Sequence, residues 1–123
     1  MAFVKSRMTI PSELLAAVDA HCNAIVANDE RVAEALVDAH ARPAHRAAIA
    51  RVAEMRPFTH AVTLARARVG FQYIVKVRIS GSKGRLDLQN RWYETNSEWR
   101  IVEIEDLGVR SPWKKPDEAV NHA

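Results

Sequence analysis

His60 and Glu103 are the side chains of this sequence best suited to moving a proton near neutral pH. A carboxylate beside an imidazole fixes its tautomer and raises its basicity, which is the arrangement of a general base. Tyr73 can donate a hydrogen bond to a substrate oxygen, and Asn90 can donate or accept one. Asn90 stands between Leu88 and Trp92 in an alternating run. An amide buried there is costly unless a neighbour, a water or a ligand satisfies it. Asp19 and His21, on the edges of a helical apolar stripe, are candidates for the same space. The chemistry of such a set is acid–base catalysis, or hydrogen bonding to a bound molecule. Each residue also has a structural reading. His60 follows Pro57 closely and fits a strand rim, Tyr73 fits a core, and Asp19 and His21 fit solvated helix edges, two apart and unable to pair with each other.

Whether those groups converge depends on strands. From Phe58 to Arg66, Phe58, His60, Val62 and Leu64 alternate with Thr59, Ala61 and Thr63, a period of two. After Gly70, the residues Phe71, Tyr73, Val75, Val77 and Ile79 share one face. The segment Ser80-Gly81-Ser82-Lys83-Gly84 then reverses the chain into an antiparallel hairpin. The third run sets Leu86, Leu88, Asn90, Trp92 and Glu94 on one side, and Thr95-Asn96-Ser97 turns it into the fourth, Trp99 to Leu107. There the phase is open. With Trp99 and Ile101 inward, Glu103 joins His60; with Val102 and Ile104 inward, it is surface, and a bulge could switch one phase to the other.

The strands need a cover, and the first half of the chain reads as helix. One helix opens at Pro11 and runs to about Ala27, with Leu14, Leu15, Val18, Cys22, Ile25 and Val26 on its stripe. Asn28 caps a second, which buries Val32, Ala33, Leu36 and Val37 and reaches about His40. A third starts at Pro43 and ends before Pro57. The fold class is therefore α+β: three N-terminal helices packed on a curved four-stranded antiparallel sheet. It occupies residues 1–110 as one domain, and residues 111–123 form an irregular C-terminal tail that Trp113 tacks to the body.

Composition excludes several classes. No apolar run approaches the ~18 residues of a membrane span, and Met1 to Thr9 lacks the apolar core of a secretory signal, so the expected location is cytoplasmic. The single cysteine, Cys22, excludes an internal disulfide and reads as a core residue. The histidines His40 and His45, flanking Pro43, read as solvated helix ends, and no spacing implies a metal or a cofactor. The net charge of +3 invites nucleic acid. Yet Lys76, Arg78, Arg85 and Arg91, expected on the outer sheet face with Gln72 and Gln89, read as a solvated or dimer-forming surface.

The stretch from Leu88 through Trp99 to Ile104, a polar turn followed by a tryptophan and an alternating run, resembles the closing hairpin of the nuclear transport factor 2-like superfamily. The N-terminal helix with Asn28-Asp29 before a second helix is similar to that superfamily's opening. The short strand such proteins place between the second and third helices has no counterpart around Ala41-Arg42. The resemblance implies a conical half-barrel closed by the first helix over an apolar pocket. Polyketide cyclases of the SnoaL type, ketosteroid isomerase, scytalone dehydratase and limonene epoxide hydrolase use that pocket for acid–base chemistry without a cofactor. Other members only bind. The expectation is a small-molecule pocket using His60 or Glu103 as base, or a non-catalytic module whose interior is packed shut, in either case self-associating as a homodimer through the sheet.

Overall fold

The computed structural model describes residues 10–110 of the chain, with side chains through residue 108. The expected tail and Trp113 lie outside the described residues. Helix α1 spans Ser12–Val26, α2 spans Glu30–Ala35 and α3 spans Arg42–Arg51, with short 3-10 turns at Ala39–Ala41 and Ala53–Met55. Four strands follow, β1 His60–Val69, β2 Gln72–Gly81, β3 Gly84–Thr95 and β4 Glu98–Arg110, and they pair antiparallel in sequence order. The α+β architecture is the one expected from the sequence.

Asn28 does not cap the second helix. It closes the first, at φ 60°, where its N–H reaches the Ile25 carbonyl at 3.1 Å while the Asp29 N–H reaches Ala24 at 2.8 Å. These two bonds satisfy carbonyls that the helix end would leave bare. Asp29 is the true N-cap of α2, accepting from the Val32 N–H at 3.3 Å. That helix ends at Ala35 rather than near His40 because the chain turns to meet the sheet: the Ile101 N–H donates to the Leu36 carbonyl and the Asp38 N–H to the Ile101 carbonyl, both at 2.8 Å. The resulting parallel bridge, Val37 to Ile101, ties the chain between α2 and α3 to β4, four residues before Ala41-Arg42, around which the sequence shows no such strand.

Turn chemistry sets the sheet register. Asn96 and Ser97, both at positive φ, form the two-residue turn between β3 and β4. Gly81 is required for space: a Cβ there would sit 2.3 Å from the Pro57 carbonyl oxygen, a backbone atom that cannot swing away. Gly81→Ala is expected to lower stability by about 1–3 kcal/mol, the cost of forcing backbone apart in a packed region. Equal urea midpoints for variant and parent would contradict that close approach.

The core lies between the helices and one face of the sheet, and comprises Leu14, Val18, Cys22 and Ile25 of α1 with Tyr73, Val75, Val77, Ile79, Leu86, Leu88, Trp92 and Ile101 of the sheet. Phe71, grouped with β2's inner face by its spacing, is instead in the turn before the strand and 84% exposed. Arg56 joins the layers, donating to the Ile25 carbonyl at 3.0 Å with its guanidinium 5.4 Å from the Phe58 ring centre. Among the described residues no helix is long and apolar enough to cross a membrane.

Candidate functional site

Two strand irregularities decide which polar groups reach the interior. In β4, Arg91 pairs with Glu103 but Trp92 pairs with Ile101, so Val102 is a bulge between them. Trp99 and Ile101 are buried before it, and Glu103 beyond it faces outward. There it accepts from Arg91 Nε at 3.0 Å, while Arg91 Nη1 donates to Gln72 at 3.0 Å, and it lines a shallow cleft with Ile74 and Gln89. The first strand also departs from its expected phase. Phe58 is buried ahead of β1, but His60 pairs with Ser80 and Val62 with Arg78 on the outer face, whereas Ala61 pairs with buried Ile79. His60 is exposed, its Nδ1 3.0 Å from Thr59 Oγ1. The expectation that His60 and Glu103 share one interior face is thus corrected: both side chains lie outside, on opposite edge strands of the sheet.

The outer face is also less cationic than its sequence implies. Arg78 donates through Nε and Nη2 to both carboxylate oxygens of Asp87 at 3.0 and 3.2 Å, and Gln89 donates to Glu105 at 3.3 Å. Cross-strand partners of opposite charge hold this surface together.

Other polar groups occupy the interior. His21 of α1 and His45 of α3, 1% and 2% exposed, meet with their Nε2 atoms 3.0 Å apart. His21 was expected at a solvated helix edge and His45 at a solvated helix end; both point inward. Asp19, the other edge residue, is exposed. The indole of Trp92 meets His21 edge-on, with ring centres 6.1 Å apart, and Tyr73 packs in the same manner on Trp99 at 5.7 Å. Asn90 and Trp92 are each 1% exposed and share the helix-facing side of β3.

Burial fixes the state of the histidines. Desolvation, then the neighbouring His45, pushes His21 down to about 3, and His45 is also lowered, chiefly by burial. Both rings are neutral near pH 7, so one Nε2–H donates to the other Nε2. The donating ring then presents a bare Nδ1 and the accepting ring an Nδ1–H. The pair therefore offers its surroundings one acceptor and one donor, and a proton arriving at one Nδ1 can leave from the other. Among the described residues neither Nδ1 has a hydrogen-bond partner, nor have Asn90 Oδ1 and Trp92 Nε1. Buried polar atoms are paired in the great majority of cases, so these four, two on the helices and two on the helix-facing side of β3, call for an explanation. His45 also lines a narrow apolar cleft with Ala24, Ile25, Ala33 and Ile49. Cys22 belongs to the core, its thiol pushed up to about 11 by burial and by Asp19, a state that does not act as a nucleophile at neutral pH.

No family model matches the chain, and no curated protein matches it. Among solved structures, the crystal structure of an NTF-2 like protein of unknown function from Burkholderia xenovorans LB400 aligns over 91% of this chain and 94% of its own, at 15% identity with a TM-score of 0.54. The order of helices and strands thus folds as a nuclear transport factor 2-like cone.

Proposed function

We propose that the protein is a small-molecule-binding domain whose site is the interior cluster of His21, His45, Asn90 and Trp92. The observation that carries this reading is the set of interior polar atoms without partners among the described residues, His21 Nδ1, His45 Nδ1, Asn90 Oδ1 and Trp92 Nε1. They suit a ligand with an apolar body and a donor and an acceptor of its own. If the domain also catalyses, the neutral histidine pair is its acid–base device, taking a proton at one Nδ1 and returning one from the other. A cofactor-independent isomerisation, dehydration, cyclisation or hydrolysis fits such a device. A second reading, a non-catalytic module, is favoured by the tight packing of Tyr73, Trp92 and Trp99 inside the cone. In that reading the outer sheet face, with exposed Val62 and Val69 beside its ion pairs, joins two copies as a homodimer.

A thermal-shift screen against several hundred small apolar metabolites separates the readings. A compound at 100 times its dissociation constant adds about 2.7 kcal/mol of stability. The interior reading expects one chemical class to stabilise the parent, His60→Ala and Glu103→Ala alike, and to fail with Trp92→Phe. A response that survives Trp92→Phe but disappears in the two surface variants places binding on the outer face. No response at all, together with concentration-dependent dimerisation by light scattering, favours the module.

A further inference from the structure

We infer that the helix-facing side of β1 carries an anion subsite, because Arg66 and Arg68 stand in the same cross-strand rows as Asn90 and Trp92. The inference rests on the interior-site reading and names the class of ligand: a small aromatic or alicyclic molecule bearing a carboxylate or sulfonate.

The rows follow from the register. Arg66 pairs with Val75, which pairs with Asn90; Arg68 pairs with Tyr73, which pairs with Trp92. Directly paired residues in an antiparallel ladder project from the same face. Val75, Tyr73, Asn90 and Trp92 are all buried on the helix side, so the two arginines project there as well. A bulge in β1 produces this. Thr63 pairs with Val77 and Ala65 with Lys76, so Leu64 is the extra residue, and the inward positions shift from Ala61 and Thr63 to Arg66 and Arg68. Neighbouring strands lie about 4.8 Å apart, which puts each arginine Cα about 10 Å from that of Asn90 or Trp92, two strands away. A bicyclic ligand has the length to bridge that separation.

The charge is available. Both arginines are exposed, and on the helix side β1 and β2 present Arg66 and Arg68 with no carboxylate among Ala61, Thr63, Tyr73, Val75, Val77 and Ile79. Arg78 and Arg91, on the other face, are by contrast committed to Asp87 and Glu103. Arg68 Nε donates to the Gly70 carbonyl at 3.0 Å, a bond that engages Nε and not the terminal NH2 groups. A guanidinium fork matches a carboxylate with two parallel hydrogen bonds. Glu94, the carboxylate on this face of β3, lies in the next row, opposite Trp99.

The test titrates naphthoate and its neutral counterpart naphthamide into the parent, the double variant Arg66→Gln/Arg68→Gln, Arg78→Gln as an outer-face control of charge, and Trp92→Phe. Circular dichroism confirms that each is folded. The expected result is that the parent binds naphthoate at least about tenfold more tightly than naphthamide, a preference worth about 1.4 kcal/mol. The double variant should bind the two alike while its naphthamide affinity stays that of the parent. Arg78→Gln should keep the preference, and Trp92→Phe should weaken both compounds. Equal binding of acid and amide by the parent, lost in Trp92→Phe, overturns the anion subsite and leaves the interior site standing. A preference that Arg78→Gln removes as fully as the double variant assigns it to general surface charge, and also overturns the subsite. Binding of neither compound at millimolar concentration counts against both.

Discussion

Trp92→Ala is expected to destabilise the domain by about 3–5 kcal/mol, the range for removing a large buried aromatic side chain. Trp92 is 1% exposed, is the largest of the fully buried side chains, and sits mid-strand between Tyr73 of β2 and Ile101 of β4 with His21 against its ring. Truncation removes the apolar area of an indole and leaves a cavity between sheet and helices that the paired strands cannot close. One effect opposes this. The indole N–H has no partner among the described residues, and burying such a donor costs about 1–3 kcal/mol, which the variant recovers. Cavity and transfer losses together exceed that gain, so the net change remains a large loss. Trp92→Phe separates the contributions, since it keeps a ring while deleting the donor, and is expected to cost under about 1.5 kcal/mol. Urea unfolding of both variants reads the difference. A loss below about 1 kcal/mol for Trp92→Ala would show that the indole is not packed as described.

The same residue shows how far sequence carries. Tyr73, Val75, Val77 and Ile79 on β2 and Leu86, Leu88, Asn90 and Trp92 on β3 all take the face their alternation assigns, because the period-two rule holds wherever a strand is regular. It fails at Leu64 and Val102. A bulge inserts one residue and moves every later side chain to the other face, and its position is set by pairing with a partner strand rather than by local residue type. Glu103 lies beyond the Val102 bulge and faces outward, one of the two phases its run allows; His60 precedes the Leu64 bulge and lies outside because Ala61 and Thr63, not His60 and Val62, take the inward positions at the start of β1. Neither their types nor their spacing carried the information that placed them outside.

The histidine pair was legible in part. Leu14, Val18, His21, Cys22 and Ile25 repeat with steps of four, three, one and three, and so do Ala41, His45, Ala48, Ile49 and Val52. Both patterns describe a buried helix face on which a histidine takes an apolar position. Treating histidine as polar moved His21 to the edge of its stripe and left His45 in solvent. What no periodicity could supply was that the two faces meet. That depends on the bend at Val37, where the bridge to Ile101 sets α3 against the sheet.

Acid should unfold this protein earlier than its carboxylates alone would require, because the histidine pair takes up protons on unfolding. His21 has an ordinary value of 6.5 and is held at about 3 in the fold, first by desolvation and then by His45. Above pH 6.5 the ring is neutral whether the chain is folded or not, and titration leaves stability unchanged. Between 6.5 and 3 the unfolded chain binds a proton that the folded one refuses, so stability falls as pH falls, by about 1.4 kcal/mol for each unit. At pH 4.5 the loss from this residue alone is about 2.7 kcal/mol, a large share of the total for a domain of this size. His45 shifts in the same direction, chiefly through burial. Glu30 and Glu34 pull it upward and Arg46 pushes it down, so its share of the loss is smaller. Half-buried Glu34 and Asp38, both held below their usual range by their partners, lose that small benefit only at more acidic pH, which separates the two effects. The control is His21→Leu/His45→Leu, which removes both partners of the hydrogen bond at once, so no half-satisfied ring remains. Urea midpoints between pH 7.5 and 4.5 should fall steeply in the parent and stay nearly level in the double variant. Parallel curves would mean that the imidazoles reach solvent and take up protons in the folded state, which is incompatible with a closed, neutral pair at the centre of the cone.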